Sequence, residues 1–311
     1  MMDRCGRCKN EKTPLFKMSR LNSLLCSSCF EDYYERKVKN TVLKYGMLNG
    51  VNKLAIAASG GKDSMALLKV FSELFPHIKF AVIHLNLGIP GHSDECIKVV
   101  EKFCIENSIE LLVYDLKKYH GYTIGDLSNL KNNKRICGVC GIVKRHLMNK
   151  VAYENGFDTL ATGHNLDDVV EILFNLYLNG NVEEMSRIKP VAPSMNPKLI
   201  RKIKPLIEVT DQEDLYYVIS KNLDYASSEC PLIKGSRMVE RKNLILRIEE
   251  EIPNFRYRFL KTHLKRFLPI LKEHSQPITL RECDVCSMPS VGSICSFCKL
   301  SSRILNWVEN A

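Results

Sequence analysis

The chain reads as an α/β protein built on a doubly wound parallel sheet, with a small four-cysteine module at each end. Three observations predict this. Short apolar runs alternate with helix-period stretches between residues 51 and 272, the pattern of buried parallel strands joined by crossover helices. The first apolar run leads straight into a glycine pair and a helix start. Cys-x2-Cys pairs crowd the two ends, outside that alternating zone. The expected division is an N-terminal module at 1–35, a central domain at 36–275 and a C-terminal module at 276–311, with Ser275-Gln276-Pro277 as the linker into the last.

The expected strands, in order, are Leu54–Ala58, Phe80–Leu85, Glu110–Tyr114 and Thr159–Thr162, each short, apolar and bounded by turn residues. Between them lie amphipathic helices. Ser93 is placed to cap one that buries Ile97, Val100 and Cys104 at helical spacing. Residues 65–75 and 141–153 read as two more. Thr210-x2-Glu213 is a capping box opening a helix with Leu215 and Ile219 inside. From Arg237 to Leu271 the period is helical, interrupted at Pro253, with Arg258, Lys261, Lys265 and Arg266 near one face.

Composition narrows the class. At 311 residues the chain can bury a large core, and no run of 18 apolar residues asks for a membrane span. The first residues, MMDRCGRCKN, lack the apolar stretch of a secretory signal, so a cytoplasmic location is expected. The formal charge of +10 is concentrated: residues 234–272 hold eleven Lys/Arg against four Glu, a local net of +7. A clustered basic face suits a polyanion such as nucleic acid, and a solvated helix face is the alternative.

Ser59-Gly60-Gly61-Lys62-Asp63-Ser64 follows the first strand. Two glycines let backbone N–H groups approach an oxyanion, and the next helix adds the positive end of its dipole. Lys62 adds charge. The spacing is neither G-x-x-x-x-G-K-[ST] nor G-x-G-x-x-G, which disfavours P-loop kinases and dinucleotide folds. SGGKDS in this position resembles the pyrophosphate loop of the N-type ATP pyrophosphatases, which cleave ATP between its α and β phosphates and adenylate a carbonyl oxygen. Gly163-His164-Asn165-Leu166-Asp167-Asp168, after the fourth strand, is a second match.

The two thiols of Cys137-Gly138-Val139-Cys140 can converge on one metal, cluster or disulfide, and Cys230 lies about 90 residues later in a polar, Pro-bounded turn, Ser228-Glu229-Cys230-Pro231. This triplet resembles the tRNA 2-thiouridine synthetase branch of the same family. The resemblance runs from Cys5 to Cys298. It implies an adenine nucleotide alpha-hydrolase-like fold and a [4Fe–4S] cluster on Cys137, Cys140 and Cys230, with one iron lacking a protein ligand. A persulfide route without a cluster, and a zinc site completed by histidine, stay open. The resemblance places ATP with Mg²⁺ at Ala58, Ser59, Gly60, Gly61, Lys62, Asp63, Ser64, His84, Lys144, Gly163 and Asp168. It gives Cys137, Cys140, Cys230, Asp63 and Lys144 catalytic roles, and Lys144 shares a helix face with Cys140.

Cys5, Cys8, Cys26 and Cys29, and likewise Cys283, Cys286, Cys295 and Cys298, form two quartets suited to tetrahedral zinc in a folding role. The expected reaction is ATP-dependent adenylation of a uridine C2 carbonyl in tRNA, then sulfur insertion, at either the wobble or the T-loop uridine. The sulfur donor is open between sulfide, a ubiquitin-like thiocarboxylate protein and a desulfurase, and a homodimer is implied. Two competing readings remain. An amidating or lysidine-forming relative leaves the cysteine triplet unused, and a zinc-bearing RNA-binding protein does not need an intact loop.

Overall fold

The structure, a computed structural model, describes residues 4–10, 15–18, 22–129, 136–233, 236–274 and 279–308. Lys234 and the expected linker Ser275-Gln276-Pro277 lie outside them. The elements run β1 (Leu15–Met18), β2 (Ser23–Cys26), α1 (Ser27–Lys44), β3 (Leu54–Ala57), α2 (Lys62–Leu74), β4 (Phe80–Asn86), α3 (Ser93–Glu106), β5 (Leu111–Asp115), α4 (Leu116–His120), α5 (Ile136–Glu154), β6 (Thr159–Thr162), α6 (Leu166–Leu178) and α7 (Val182–Met185). They continue with β7 (Val191–Ala192), β8 (Arg201–Ile203), α8 (Asp211–Ser220), α9 (Arg237–Glu251), α10 (Phe255–Thr262), a π-helical turn at His263–Phe267, α11 (Leu268–His274), β9 (Arg281–Glu282), β10 (Pro289–Ser290) and α12 (Ser296–Val308).

Six strands form the central sheet in the order β5-β4-β3-β6-β8-β7, parallel except for β7 against β8. The chain moves outward from β3 to β5, then returns to the other side of β3 with β6. The strand order therefore reverses between β3 and β6, where the carboxyl ends of an open α/β sheet leave a ligand crevice. The period of two sorts the sheet's faces. Leu54, Ile56 and Val82 join the core containing α1, α2 and α8. Ala55, Ala81, Ile83 and Leu160 pack with Val151 and Ala152 of α5.

The four expected strands are present, the third starting one residue later than its sequence pattern suggests. β7 and β8 are additions to that set: each is too short to carry a period of its own. Ser93 is not the cap of α3. Its Oγ instead accepts the N–H of Ile89, 2.9 Å away, and His92 occupies the cap position. Ile219 points outward and is 48% exposed, while Tyr217 and Val218 face the core. The buried face of α8 is thus rotated by one to two residues from the one its sequence suggests. The capping box at Thr210 and Glu213 is formed as expected, and α9 and α10 break around Pro253.

Residue 35, the expected edge of the first module, falls within α1. Phe16 and Phe30 of that module share one core with Tyr34, Val38 and Tyr217. At the other end, Cys283, Cys295, Phe297 and Ile304 pack with Val143 and Leu147 of α5. Both modules are thus built onto the central domain through helices it also uses.

Candidate nucleotide and cysteine site

β3 ends in the loop 58–61, and α2 begins at Lys62. Gly60 has φ +86°, and a Cβ there would stand 2.7 Å from the backbone of Cys96, so both conformation and space demand glycine. The Ser59 N–H donates to Ser64 Oγ at 3.2 Å, and that hydroxyl donates to the Gly61 carbonyl at 2.8 Å. These bonds curl the loop over the helix start. Gly61 is the cap residue of α2 and no side chain caps that turn, which leaves its N–H groups for an anion. Gly163 closes the crevice from the β6 side: a Cβ on it would lie 3.2 Å from the Ser64 nitrogen.

The charges around the loop interlock. Lys62 Nζ bonds Asp63 at 2.9 Å and Asp211 at 2.6 Å. Burial works against its ammonium, but the two carboxylates outweigh it and hold its pKa above the ordinary value. Asp63 is pushed up by burial, opposed by Lys62 and reinforced by Asp211 and Asp168. Asn165 and Asp168 form a capping box on α6. Asp168 also pairs with Lys242 at 2.5 Å, while Asp167 pairs with Arg256 and accepts the Asp211 N–H at 2.9 Å. Asp211, Lys242 and Arg256 carry no sequence signal for this site, because only tertiary contact brings α8, α9 and α10 to the loop.

His84 is buried on β4, at 2% exposure. Its Nδ1 lies 2.9 Å from the Ala58 carbonyl, and its Nε2 is buried without a hydrogen-bond partner. Burial holds the ring below the usual histidine range, against the pull of that carbonyl. A neutral imidazole with one unsatisfied buried nitrogen fits a ligand that brings a polar edge. His164 hangs from the loop before α6, its Nδ1 2.9 Å from Thr162 Oγ1. Loss of bulk water inside the crevice lowers its pKa. Asp168 resists this, and Lys204, Lys144 and Lys242 add to it.

Cys137 and Cys140 lie in the first turns of α5 itself rather than before it, since the helix starts at Ile136. Cys230 precedes a short helical turn at Pro231–Ile233. Cys137 Sγ is 3.8 Å from the Leu232 carbonyl, so the turn carrying Cys230 docks on the helix carrying the pair. Burial raises the Cys140 thiol, Lys144 lowers it, and Cys230 and Cys137 raise it again. The three thiols are therefore electrostatic neighbours. They nonetheless do not meet the 4.8 Å mutual spacing that both terminal quartets satisfy among the described residues.

Lys144 stands one turn beyond Cys140 on α5. Its charge acts on Cys140, His84 and His164 alike, so it lies near both the thiols and the crevice.

In the quartets, Cys8 and Cys26 sulfurs are 3.7 Å apart, and those of Cys286 and Cys295 3.8 Å. Tetrahedral bonds of about 2.3 Å to one ion separate sulfurs by about 3.8 Å. Against the desolvation of burial, backbone N–H groups pull Cys5 and Cys283 down to about 6, toward the thiolate a metal needs. Each quartet could hold one such ion.

The anion loop at a switch point, an acid-and-lysine crevice and three thiols beside it define an ATP-using α/β enzyme with an accessory cysteine centre. The chain belongs to the PP-loop domain family, whose pattern matches residues 31–232. It is 37% identical over 299 residues to the tRNA-5-methyluridine(54) 2-sulfurtransferase of Pyrococcus horikoshii, covering 95% of this chain and 93% of that one. It is 25% identical over 300 residues to cytoplasmic tRNA 2-thiolation protein 1 of Aspergillus niger, covering 95% and 87%. Among solved structures, the U34-tRNA thiolase NcsA of Methanococcus maripaludis, determined with its [4Fe-4S] cluster, superposes with a TM-score of 0.79 at 28% identity, covering 98% and 97%. Among the described residues no helix is long and apolar enough to cross a membrane.

Proposed function

We propose that the chain is a tRNA 2-sulfurtransferase that adenylates the C2 carbonyl of a uridine and exchanges its oxygen for sulfur. The observation that carries this reading is the position of Lys144, one turn beyond Cys140 on α5, whose charge reaches both Cys140 and the histidines of the nucleotide crevice. One helix thereby joins an ATP site to a sulfur site.

In this reading ATP lies over residues 58–64 with Mg²⁺ on its phosphates. Loop N–H groups and Lys62 stabilise the charge that develops on the departing pyrophosphate. Asp63 and Asp168, with Asp211 beside them, supply carboxylates for Mg²⁺. His84 Nε2 faces the adenine edge, and Lys144 steadies the α-phosphate as the uridine oxygen attacks it. Adenylation turns that oxygen into part of a good leaving group, AMP. Cys137, Cys140 and Cys230 would hold a [4Fe–4S] cluster, which supplies an iron free of protein ligands for sulfur delivery. The target base must leave its stack to reach the crevice. Cys5, Cys8, Cys26 and Cys29, and Cys283, Cys286, Cys295 and Cys298, would each hold a structural Zn²⁺.

Similarity favours the T-loop uridine at position 54 over the wobble position. The full-length relative named for position 54 is 37% identical, against 25–28% for the 2-thiolation protein and the U34 thiolase. Arg237, Arg247, Arg258, Lys261, Lys265 and Arg266 of the basic segment enter no ion pair among the described residues, which leaves them for RNA phosphates. Arg241, Lys242 and Arg256 are engaged with acids of α6 and α9.

The test supplies ATP, Mg²⁺, sulfide and tRNA to anaerobically prepared enzyme, with and without iron. Thiolated tRNA is read on a mercury-containing gel, and the modified position by mass after nuclease digestion. Thiolation at position 54 by the iron-loaded form alone is expected. Equal product without iron would rule out the cluster route, and product at position 34 would reverse the choice of uridine.

A further inference from the structure

A second concavity, of about 440 Å³, opens between α5, β8 and the C-terminal four-cysteine module. Its wall carries Arg145, Lys202 and Lys299 and not one Asp or Glu. None of the three cations has a carboxylate partner among the described residues. Lys202 is half-buried, while Arg145 and Lys299 are exposed at the cavity mouth. Burial lowers the Lys202 pKa, and Arg145 adds to the effect. Lys204, two residues further along the same strand face, is depressed to about 8 by burial and by Lys202. The positive charge therefore continues from this cavity toward His164, on which Lys204 acts.

The rest of the wall mixes apolar side chains with His146, Asn149, Ser290 and Ser296. Phe297 stacks on His146 at 4.1 Å and 6°, and Met288, Val291 and Ile294 line the same space. Val291 is 70% exposed. The Phe297 ring is buried and covered by His146, so the surface left for a base is the apolar one, and cations beside such a surface can receive an unstacked nucleotide with phosphate on the charges.

We propose that this cavity holds one unstacked nucleotide of the RNA substrate, its phosphate against Lys202, Arg145 and Lys299 and its base against the apolar wall of the C-terminal module. The proposal rests on the reading of the chain as a tRNA enzyme. It gives the C-terminal module a substrate contact beyond its metal, and sets an RNA anchor on the helix that also carries Cys137 and Cys140.

The test measures tRNA affinity of the metal-loaded full chain across a salt series, with ATP affinity measured on the same samples. For the Lys202→Gln/Lys299→Gln double variant, tRNA binding is expected to weaken about tenfold. The slope of log affinity against log salt should flatten by about 0.7, the amount for one single-strand phosphate no longer neutralised. ATP affinity should be unchanged. Lys299→Glu alters an exposed side chain and reports the same effect without touching the half-buried lysine, and Lys202→Arg should keep wild-type affinity. Wild-type tRNA affinity in both charge-removing variants overturns the subsite while leaving the proposed function standing. Failure of the wild-type chain to bind tRNA overturns both. Unchanged tRNA affinity with lost use of a protein sulfur donor assigns the cavity to that donor and overturns the RNA assignment.

Discussion

Lys242 of α9 and Asp168 of the α6 capping box meet at 2.5 Å, joining the basic helical segment to the segment that closes the nucleotide crevice. Burial disfavours the Lys242 ammonium, yet Asp168, Asp211 and Asp167 raise its pKa. The contact ties whatever positions α9 to whatever occupies the crevice. Lys242→Ala is expected to cost about 1 kcal/mol of stability, at the upper end for a partly exposed pair. It should also raise the KM for ATP, because Asp168 loses the cation that fixes its rotamer. Thermal melting and ATP-dependent pyrophosphate release check the two effects separately. An unchanged KM would show that Asp168 holds its place through the capping box alone.

Replacing Cys137, Cys140 or Cys230 singly by Ala should abolish thiolation and leave tRNA-dependent pyrophosphate release within about threefold of wild type. The anion loop is held by bonds among Ser59, Gly61 and Ser64 that none of the three thiols enters, so the thiols are not needed to hold ATP. Iron content and the visible absorption of the reconstituted protein should fall in each variant. A variant that keeps its iron and its colour but loses thiolation would instead point to a persulfide on that thiol.

What the chain declares in advance is local. Leu54–Ala57, Gly60, Gly61 and the capping box of Thr210 and Glu213 are legible within a few residues, because strand burial, positive φ and capping are short-range demands. Ser93 misleads because a serine before a helical pattern can serve another backbone group, here Ile89. Ile219 misleads because α8 packs through adjacent residues, Tyr217 and Val218, which blurs its period. The partners of the loop are not legible at all. Asp211 lies 149 residues from Lys62 and reaches it only once α8 has packed on α2.

Acid should destabilise the fold through its buried histidines. Burial lowers His146 to about 4 from an ordinary 6.5, with the charges of Lys150 and His120 adding. Burial likewise depresses His84 and His263. For a histidine whose folded pKa is depressed, the unfolded chain takes up the proton first. The contribution is therefore complete above about pH 6.5 and drains away as the pH falls toward 4. Chemical denaturation at pH 7.5 and pH 5 should show the midpoint dropping, and His146→Leu should shrink that drop while keeping the ring's packing volume against Phe297. An equal drop in wild type and variant would exclude His146 as a contributor.

Stripping the terminal quartets should loosen the enzyme at two different places. Cys298→Ala removes a proposed zinc ligand from the module packed on Val143 and Leu147 of α5, the helix bearing Cys137 and Cys140. Cys5→Ala acts on the module sharing a core with α1 and α8. Each should lose one zinc equivalent by metal analysis and melt earlier. Loss of the iron chromophore is expected to follow Cys298→Ala more than Cys5→Ala, because only the former disturbs the helix that carries two of the three thiols.

The two adjacent glycines of the anion loop should respond in opposite ways, which separates what the fold needs from what the ligand needs. Gly60 holds φ +86° against the Cys96 backbone, so Gly60→Ala meets both strain and a clash at 2.7 Å and should fail to fold or melt far below wild type. Gly61 has ordinary dihedrals, and the nearest atom to an added Cβ is Ser59 Oγ at 3.6 Å. Gly61→Ala should therefore fold and melt like wild type. Yet the new methyl would stand at the uncapped first turn of α2, where the phosphates are expected to approach the backbone. ATP binding by that variant should weaken by tenfold or more, on the order of 1.4 kcal/mol. Retained ATP affinity in a well-folded Gly61→Ala protein would mean that the phosphates do not pass over this residue, and the nucleotide would have to be placed nearer Gly163 and the α6 side of the crevice.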